Sequence, residues 1–422
     1  MKPALLIAAL GIASWCTSWA ASTDPILGFG EKSKGGAGGR VVLVTRRDDN
    51  PQHPEPGSLR WALKQRGPRI VKFTMSGDIR LEDRIIVREP FLTVDGSDAP
   101  GEGVCIRKGS LMFRNTHDVI VRQVRIRLGE APARRQRREH HAKRPPHSAG
   151  LDCVSLDDSR RIVFDHCSLS WSCDEIFGIT HCQEVTIQWC LLSSPLANRK
   201  LHPYGDNHAF PINASASTLS VHHCLMAHYV MRGPQFEAND LRPEDRYTVR
   251  MEAVNNVMFD YERSGSRYGS GVEKENGTAM GKSFQFEFLN NFYLTDSSRK
   301  LPVEAITKHG VIPNVKIHAS GNIRELVNKR GGMQVETVGT PFWKAEENSS
   351  QTRAQVNARR LFTTSASQRP EHPQSIVEPV LINAGCTLHR DSVDRQVIED
   401  VRRLRFGRIA HHEPGFFRWL GF

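Results

Sequence analysis

Ile162-Val-Phe-Asp-His-Cys167, Val185-Thr-Ile-Gln-Trp-Cys190 and Leu219-Ser-Val-His-His-Cys224 repeat one short pattern. Met251-Glu-Ala-Val-Asn-Asn256, Phe286-Glu-Phe-Leu-Asn-Asn291 and Ile317-His-Ala-Ser-Gly-Asn322 continue it. Each segment ends on a thiol or an amide, and each carries an apolar residue three places earlier: Phe164, Ile187, Val221, Ala253, Phe288 and Ala319. Aligned on their last residues, successive segments are 23, 34, 32, 35 and 31 residues apart. Alternation over so few residues is the mark of a half-buried strand. Short strands recurring every few tens of residues mark a solenoid. One coil cannot bury its apolar face alone, so neighbouring coils must stack.

Stacking brings the aligned Cys and Asn residues into an inward ladder. Paired strands lie about 4.8 Å apart, close enough for each Asn amide to bond the residue above or below it. Cysteine is small and tolerates burial, so Cys167, Cys190 and Cys224 are expected as structural thiols at a turn. An earlier strand, Val119 to Ile126, extends the same stack. Pro56-Gly-Ser58-Leu-Arg-Trp-Ala-Leu63 reads as a helix capped by Ser58, with Leu59, Ala62 and Leu63 on one face, and suits the open end of a solenoid. After residue 325 the strand pattern fades. Residues 344–376 are polar and expected as an extended tail, and a last helix is expected from near Asp391.

The chain has 422 residues and a formal net charge of +11. Lys2, the apolar run Leu5 to Ile12 and the small residues around Ser18-Trp19-Ala20-Ala21 resemble a secretory signal, so residues 1–21 are expected to direct export and the protein to be secreted or periplasmic. The run is too short to span a bilayer, and no later segment is apolar enough to do so. Residues 133–144, Ala-Arg-Arg-Gln-Arg-Arg-Glu-His-His-Ala-Lys-Arg, are expected as a solvated basic loop that could attract a polyanion. Export argues against a nucleic acid and for an acidic polysaccharide. Nine cysteines occur without any Cys-x-x-Cys pair, so no zinc site is expected.

Several segments resemble the pectate lyase family. Gly28-Phe-Gly-Glu-Lys-Ser-Lys-Gly-Gly-Ala-Gly-Gly-Arg-Val-Val-Leu-Val-Thr45 is similar to its N-terminal signature, and Pro56-Gly-Ser-Leu-Arg60 follows. Asp165-His-Cys-Ser-Leu-Ser-Trp171, Asp174-Glu175 and the ending Arg390-Asp-Ser-Val-Asp394 are similar too. The likeness covers roughly residues 25–325 and that ending. It implies an all-β fold, a right-handed parallel β-helix with a short N-terminal capping helix and an extended C-terminal tail. The implied divisions are a signal at 1–21, a catalytic β-helix at 22–325, and a partly irregular tail at 326–422 packed on the solenoid.

The family cleaves uronate chains by β-elimination. A base takes the C5 proton and the C4–O bond breaks, with Ca²⁺ neutralising charge on the neighbouring carboxylate. The resemblance puts the calcium ligands at Asp152, Asp174 and Glu175, and the base at Arg232 in Met231-Arg-Gly-Pro234. Arg232 is expected close to those carboxylates but not bonded to them. Lys200, His202 and His208 are the implied substrate contacts, and a monomer acting on a polygalacturonate-like acidic polysaccharide is expected. Asp157-Asp158 reads as a solvated turn.

The chain departs from the pattern in three places. Gln235, Phe236 and Glu237 stand where relatives carry a second Arg. Tyr204 stands where they carry a substrate Lys, with Lys200 or Arg199 as the available substitutes. The basic run stands where they carry acids. Two other functions stay open: a glycoside hydrolase on the same fold, which needs paired carboxylates at acid–base distance, and a non-catalytic β-helix that binds acidic polysaccharide.

Overall fold

The computed structural model describes residues 25–202, 204–205, 209–237, 242, 248–270, 283–296, 301–307, 315–327, 333–338 and 357–413. The expected signal at 1–21, residues 344–356 of the expected tail, and His208 lie outside the described residues.

Short strands stack into three long sheets, one strand from each coil per sheet. The first sheet has ten parallel strands, from Arg40–Val44 to Val315–Ser320. The second has eight, from Ile85–Val87 to Leu301–Thr307. The third runs from Gly77–Arg80 to Asn322–Val327, and Met333–Val338 closes it by pairing antiparallel. This is the expected parallel β-helix. The strand pattern does not end at residue 325, because that last hairpin carries the sheet onward.

The register inside the first sheet is the one the repeats imply. Phe164 stacks on Ile187, Ile187 on Val221, Val221 on Ala253, Ala253 on Phe288 and Phe288 on Ala319. These residues point into one continuous core that also takes Val44, Leu59, Ala62 and Leu63 from the N-terminal end. The helix Leu59–Leu63 starts as expected, with Ser58 Oγ accepting from the Trp61 amide at 3.2 Å.

The ladder forms at the turn leaving each of these strands. Cys190 N–H donates to Cys224 Sγ at 3.4 Å, and Cys224 N–H donates to Asn256 Oδ1 at 2.9 Å. Asn256 then donates through its amide side chain to Asn291 Oδ1 at 3.0 Å, and Asn291 to Asn322 Oδ1 at 2.9 Å. Each of the three Asn side chains also donates to a backbone carbonyl of the preceding coil: Val221, Ala253 and Phe288. The residue before each rung has a left-handed backbone: His166, Trp189, His223, Asn255, Asn290 and Gly321. For a non-glycine residue that geometry costs about 1–2 kcal/mol. The outward rings of three of these residues partly offset the cost by stacking, His166 on Trp189 at 6.0 Å and Trp189 on His223 at 4.5 Å.

The C-terminal segment packs along the third sheet. The helix Ser392–Arg402 is capped by Asp391, whose carboxylate accepts from the Asp394 amide at 3.0 Å. Arg127, buried, donates to Asp391 at 2.7 Å and to Asp394 at 2.8 Å, while Ser168 Oγ donates to Asp394 at 2.6 Å. The Arg390-Asp-Ser-Val-Asp394 ending is therefore a docking latch onto the solenoid. A shorter helix, Val377–Asn383, precedes it inside the segment expected to be irregular.

The basic stretch, expected as a loop, is helical over Ala131–Glu139. Pro132 suits its first turn, Ala133 packs with Leu151, and Gln136 donates to the Ala149 carbonyl at 2.8 Å. One face is thereby buried, which a charge count cannot reveal.

All eight cysteines of the described residues are buried free thiols. Burial pushes the Cys105 thiol up to about 11 and those of Cys153 and Cys182 to about 12. A thiol so far from its thiolate form is unreactive at neutral pH. Native-state alkylation read by mass spectrometry should leave Cys167, Cys190 and Cys224 unmodified, and denaturation should expose all three. Ready labelling in the folded protein would contradict the inward register.

Candidate active site

The second sheet positions the site. Its strands Val154–Asp157, Glu175–Thr180, Phe210–Ser215 and Gln235–Glu237 lie on four successive coils and pair in that order. Asp152 precedes the first strand, Asp174 and Glu175 open the second, and Arg232 precedes the fourth. Side chains at matching ends of paired strands must converge when the coils stack.

They do converge. One oxygen from each of Asp152, Asp174 and Glu175 lies within 4.8 Å of the others. Asp152 is held by Ser155 Oγ, which donates at 2.7 Å, and by the Glu175 amide, which donates at 3.2 Å. Gly178, on the next coil, leaves the room: a Cβ there would come within 2.7 Å of Asp152 Oδ2. Asp174 Oδ1 lies 3.1 Å from His202 Nε2.

Three acids this close and this sheltered resist ionisation. Burial, and then the charge of Glu175, hold the Asp152 carboxyl well above the usual range. Burial and Asp174 do the same to Glu175. Burial and Asp152 push Asp174 up to about 7. A hard divalent cation with several oxygen ligands removes this penalty, so the donor set fits calcium.

Arg232 has a left-handed backbone at φ 66°, a conformation that is strained for a large side chain. Its carbonyl accepts from the Ile212 amide at 3.1 Å, and its guanidinium lies 4.0 Å from the centroid of the Phe210 ring. Nη1 sits 3.5 Å from Glu175 Oε1. This corrects the expectation that Arg232 would lie close to the acids without pairing with them. The cause is electrostatic attraction between the guanidinium and the gathered carboxyl groups. Arg267, at the register position of Gln235 on the following coil, is also buried. Burial pushes its guanidinium down to about 10, with Glu304 opposing the shift and Arg232 adding to it.

The expected substrate contacts separate. Lys200 is exposed. His202 is buried against Asp174 rather than open to a ligand, so in this geometry it orients a carboxylate. Asp157 and Asp158 form a second close group with His181, but they face Arg114 and Arg242. Sequence reading missed Phe210, Arg267 and the orienting role of His202. Only the stacking register places them, because they lie far from the acids along the chain.

No protein-family model matches the chain. It is 26% identical over 380 residues to a probable pectate lyase C of Emericella nidulans, an alignment covering 89% of this chain and 74% of that one. Among solved structures it is similar to Jun a 1, the major allergen from cedar pollen, with TM-score 0.56, 18% identity, and coverage of 85% of this chain and 92% of that one. It is also similar to the thermostable pectate lyase PL 47, with TM-score 0.55, 14% identity, and coverage of 86% and 97%. The likeness to pectate lyases carried by the motifs is borne out, as is the parallel β-helix. The protein is a pectate lyase-like β-helix, and the class its curated relatives share is that of polysaccharide lyases.

The raised carboxyl values set a pH dependence. A carboxyl whose value is higher in the folded state than in the unfolded chain stabilises the fold at low pH, and loses that contribution as pH rises through the folded value. Metal-free protein should therefore lose thermal stability as pH rises from the ordinary carboxylate range to about 7, levelling off once Asp174 is ionised. Calcium should restore it, and its affinity should fall by about tenfold per pH unit below that point for each proton displaced. Melting curves with chelator and with calcium, for wild type and Asp174→Asn, test this. The variant should lose the Asp174 share of that decline below about pH 7 and the calcium response. An unchanged calcium response would remove Asp174 from the site.

Proposed function

We propose that the protein is an exported polysaccharide lyase that cleaves pectate or a related polyuronate by calcium-assisted β-elimination. The observation that carries this reading is the meeting of Asp152, Asp174 and Glu175 with Arg232 at matching strand ends. The relatives named pectate lyase support the substrate class.

Asp152, Asp174 and Glu175 are the residues that would hold the cation. When bound, calcium supplies neutralisation of the substrate carboxylate, which lowers the barrier to removing the adjacent proton. Glu175 belongs both to the candidate cation site and to the contact with Arg232, so a bound cation would compete with the guanidinium for its oxygens. Arg232 is the group placed to take the C5 proton. The electrons of that C–H bond form the C4–C5 double bond, and the C4–O bond breaks, its pair leaving with the departing sugar oxygen. An arginine with an ordinary value above 12 is a poor base. It can take the C5 proton only after shedding its own. Activity should therefore rise toward alkaline pH. The guanidinium lies over the Phe210 ring, 4.0 Å from its centroid.

A second reading is a β-helix that binds the polymer without cleaving it. The Arg232–Glu175 pair and the Tyr at position 204 favour it. Ultraviolet absorbance of the unsaturated product separates the two. Wild type with calcium and polygalacturonate at alkaline pH should generate it. Arg232→Lys keeps the charge but loses the planar fork, and its rate should fall by about 10³-fold or more with the fold intact by circular dichroism. Substantial residual rate in the variant would remove Arg232 as the base. Wild-type binding without product would select the second reading.

A further inference from the structure

The loop after strand Leu191–Ser193 carries a feature that the elimination chemistry does not use. His202 bonds Asp174 through Nε2, and its Nδ1 accepts from the Tyr204 amide at 3.3 Å. The loop is thereby pinned to the rim of the acid cluster. Tyr204 is nevertheless 71% exposed, more than any other large apolar side chain among the described residues. Its ring sits 5.3 Å from that of His202. The backbone at Tyr204 is thus tied to His202 while its ring faces solvent.

Gly205 follows with φ +70°, and a Cβ there would collide with the guanidinium of Arg144. Arg144 belongs to the basic stretch and is exposed. The glycine admits it. The Arg144 guanidinium thus lies against the residue that follows Tyr204, on the loop that His202 ties to Asp174.

We propose that Tyr204 and Arg144 form a subsite for one carboxylated sugar unit of the polymer. This rests on the polyuronate reading above and names residues that give it specificity. A pyranose has one face rich in C–H groups, which stacks on an aromatic ring. A guanidinium takes a carboxylate through two parallel hydrogen bonds. Tyr204 binds the ring of the unit and Arg144 binds its free acid. Arg144 therefore supplies the cation that the sequence lacks at position 204, and it selects a free uronate over its methyl ester.

Steady-state rates on polygalacturonate test this with Arg144→Ala, Tyr204→Ala and the double variant Arg144→Ala/Tyr204→Lys. Arg144→Ala should raise KM by about tenfold with kcat within about twofold. It should also shrink the preference for polygalacturonate over highly methyl-esterified pectin. Tyr204→Ala should raise KM without changing that preference, because stacking is indifferent to the ester. The double variant should recover most of the KM, since a lysine at 204 restores a cation at the same rim. Wild-type KM in both single variants, or a fall in kcat with KM unchanged, would overturn the subsite. Calorimetric binding of trigalacturonate with calcium separates this proposal from the lyase reading. If wild type binds but releases no unsaturated product, the lyase reading fails. The subsite is then supported by about tenfold weaker binding in Arg144→Ala and overturned by equal binding.

Discussion

Everything in this molecule depends on one constraint: each coil must sit on the next in a fixed register. Parallel strands pair at about 4.8 Å, and the inward rungs Cys190, Cys224, Asn256, Asn291 and Asn322 repeat at that step because each bonds its neighbour. The Asn rungs also satisfy carbonyls of the preceding coil that would otherwise be buried without partners, which would cost about 1–3 kcal/mol each. A slip of one residue would turn Phe164, Ile187 and Val221 outward and break every rung at once.

The candidate site is a consequence of that register. Asp152 and Asp174 are far apart along the chain, yet stacking sets their carboxylates side by side with Glu175. The arrangement opposes stability, since burial and mutual repulsion raise all three acids. A fold selected for stability alone would not gather them. A bound cation would relieve that opposition. The Arg127–Asp391–Asp394 latch shows the contrasting case, in which buried acids are matched by a buried guanidinium and hold the C-terminal helix in place.

Much of the fold was legible because the repeats are long and in order. Phe164 to Ala319 fall into one column, and the rungs beneath them follow without adjustment. The helix Ala131–Glu139 was not legible: its arginines read as solvated charge, while its stability comes from the small residues facing Leu151 and from the Gln136 bond. At the site, the acids and Arg232 were recognisable by their motifs, but their mutual geometry was not. The ion pair between Arg232 and Glu175 joins residues on different coils, which no local motif displays. Motif reading also made His202 a ligand-facing residue, because a histidine near a site is chemically suited to many roles. Only burial reveals that it serves Asp174.

The central claim is that these coils build a cation site whose occupation loosens the hold of Glu175 on Arg232. A crystal structure of the Arg232 protein soaked with calcium, beside one grown with chelator, tests it most directly. The account predicts one cation bonded to oxygens of Asp152, Asp174 and Glu175, with the guanidinium withdrawn from Glu175 relative to the chelated crystal. A cation bound elsewhere, or an Arg232–Glu175 pair unchanged with the three acids still clustered and empty, would contradict it.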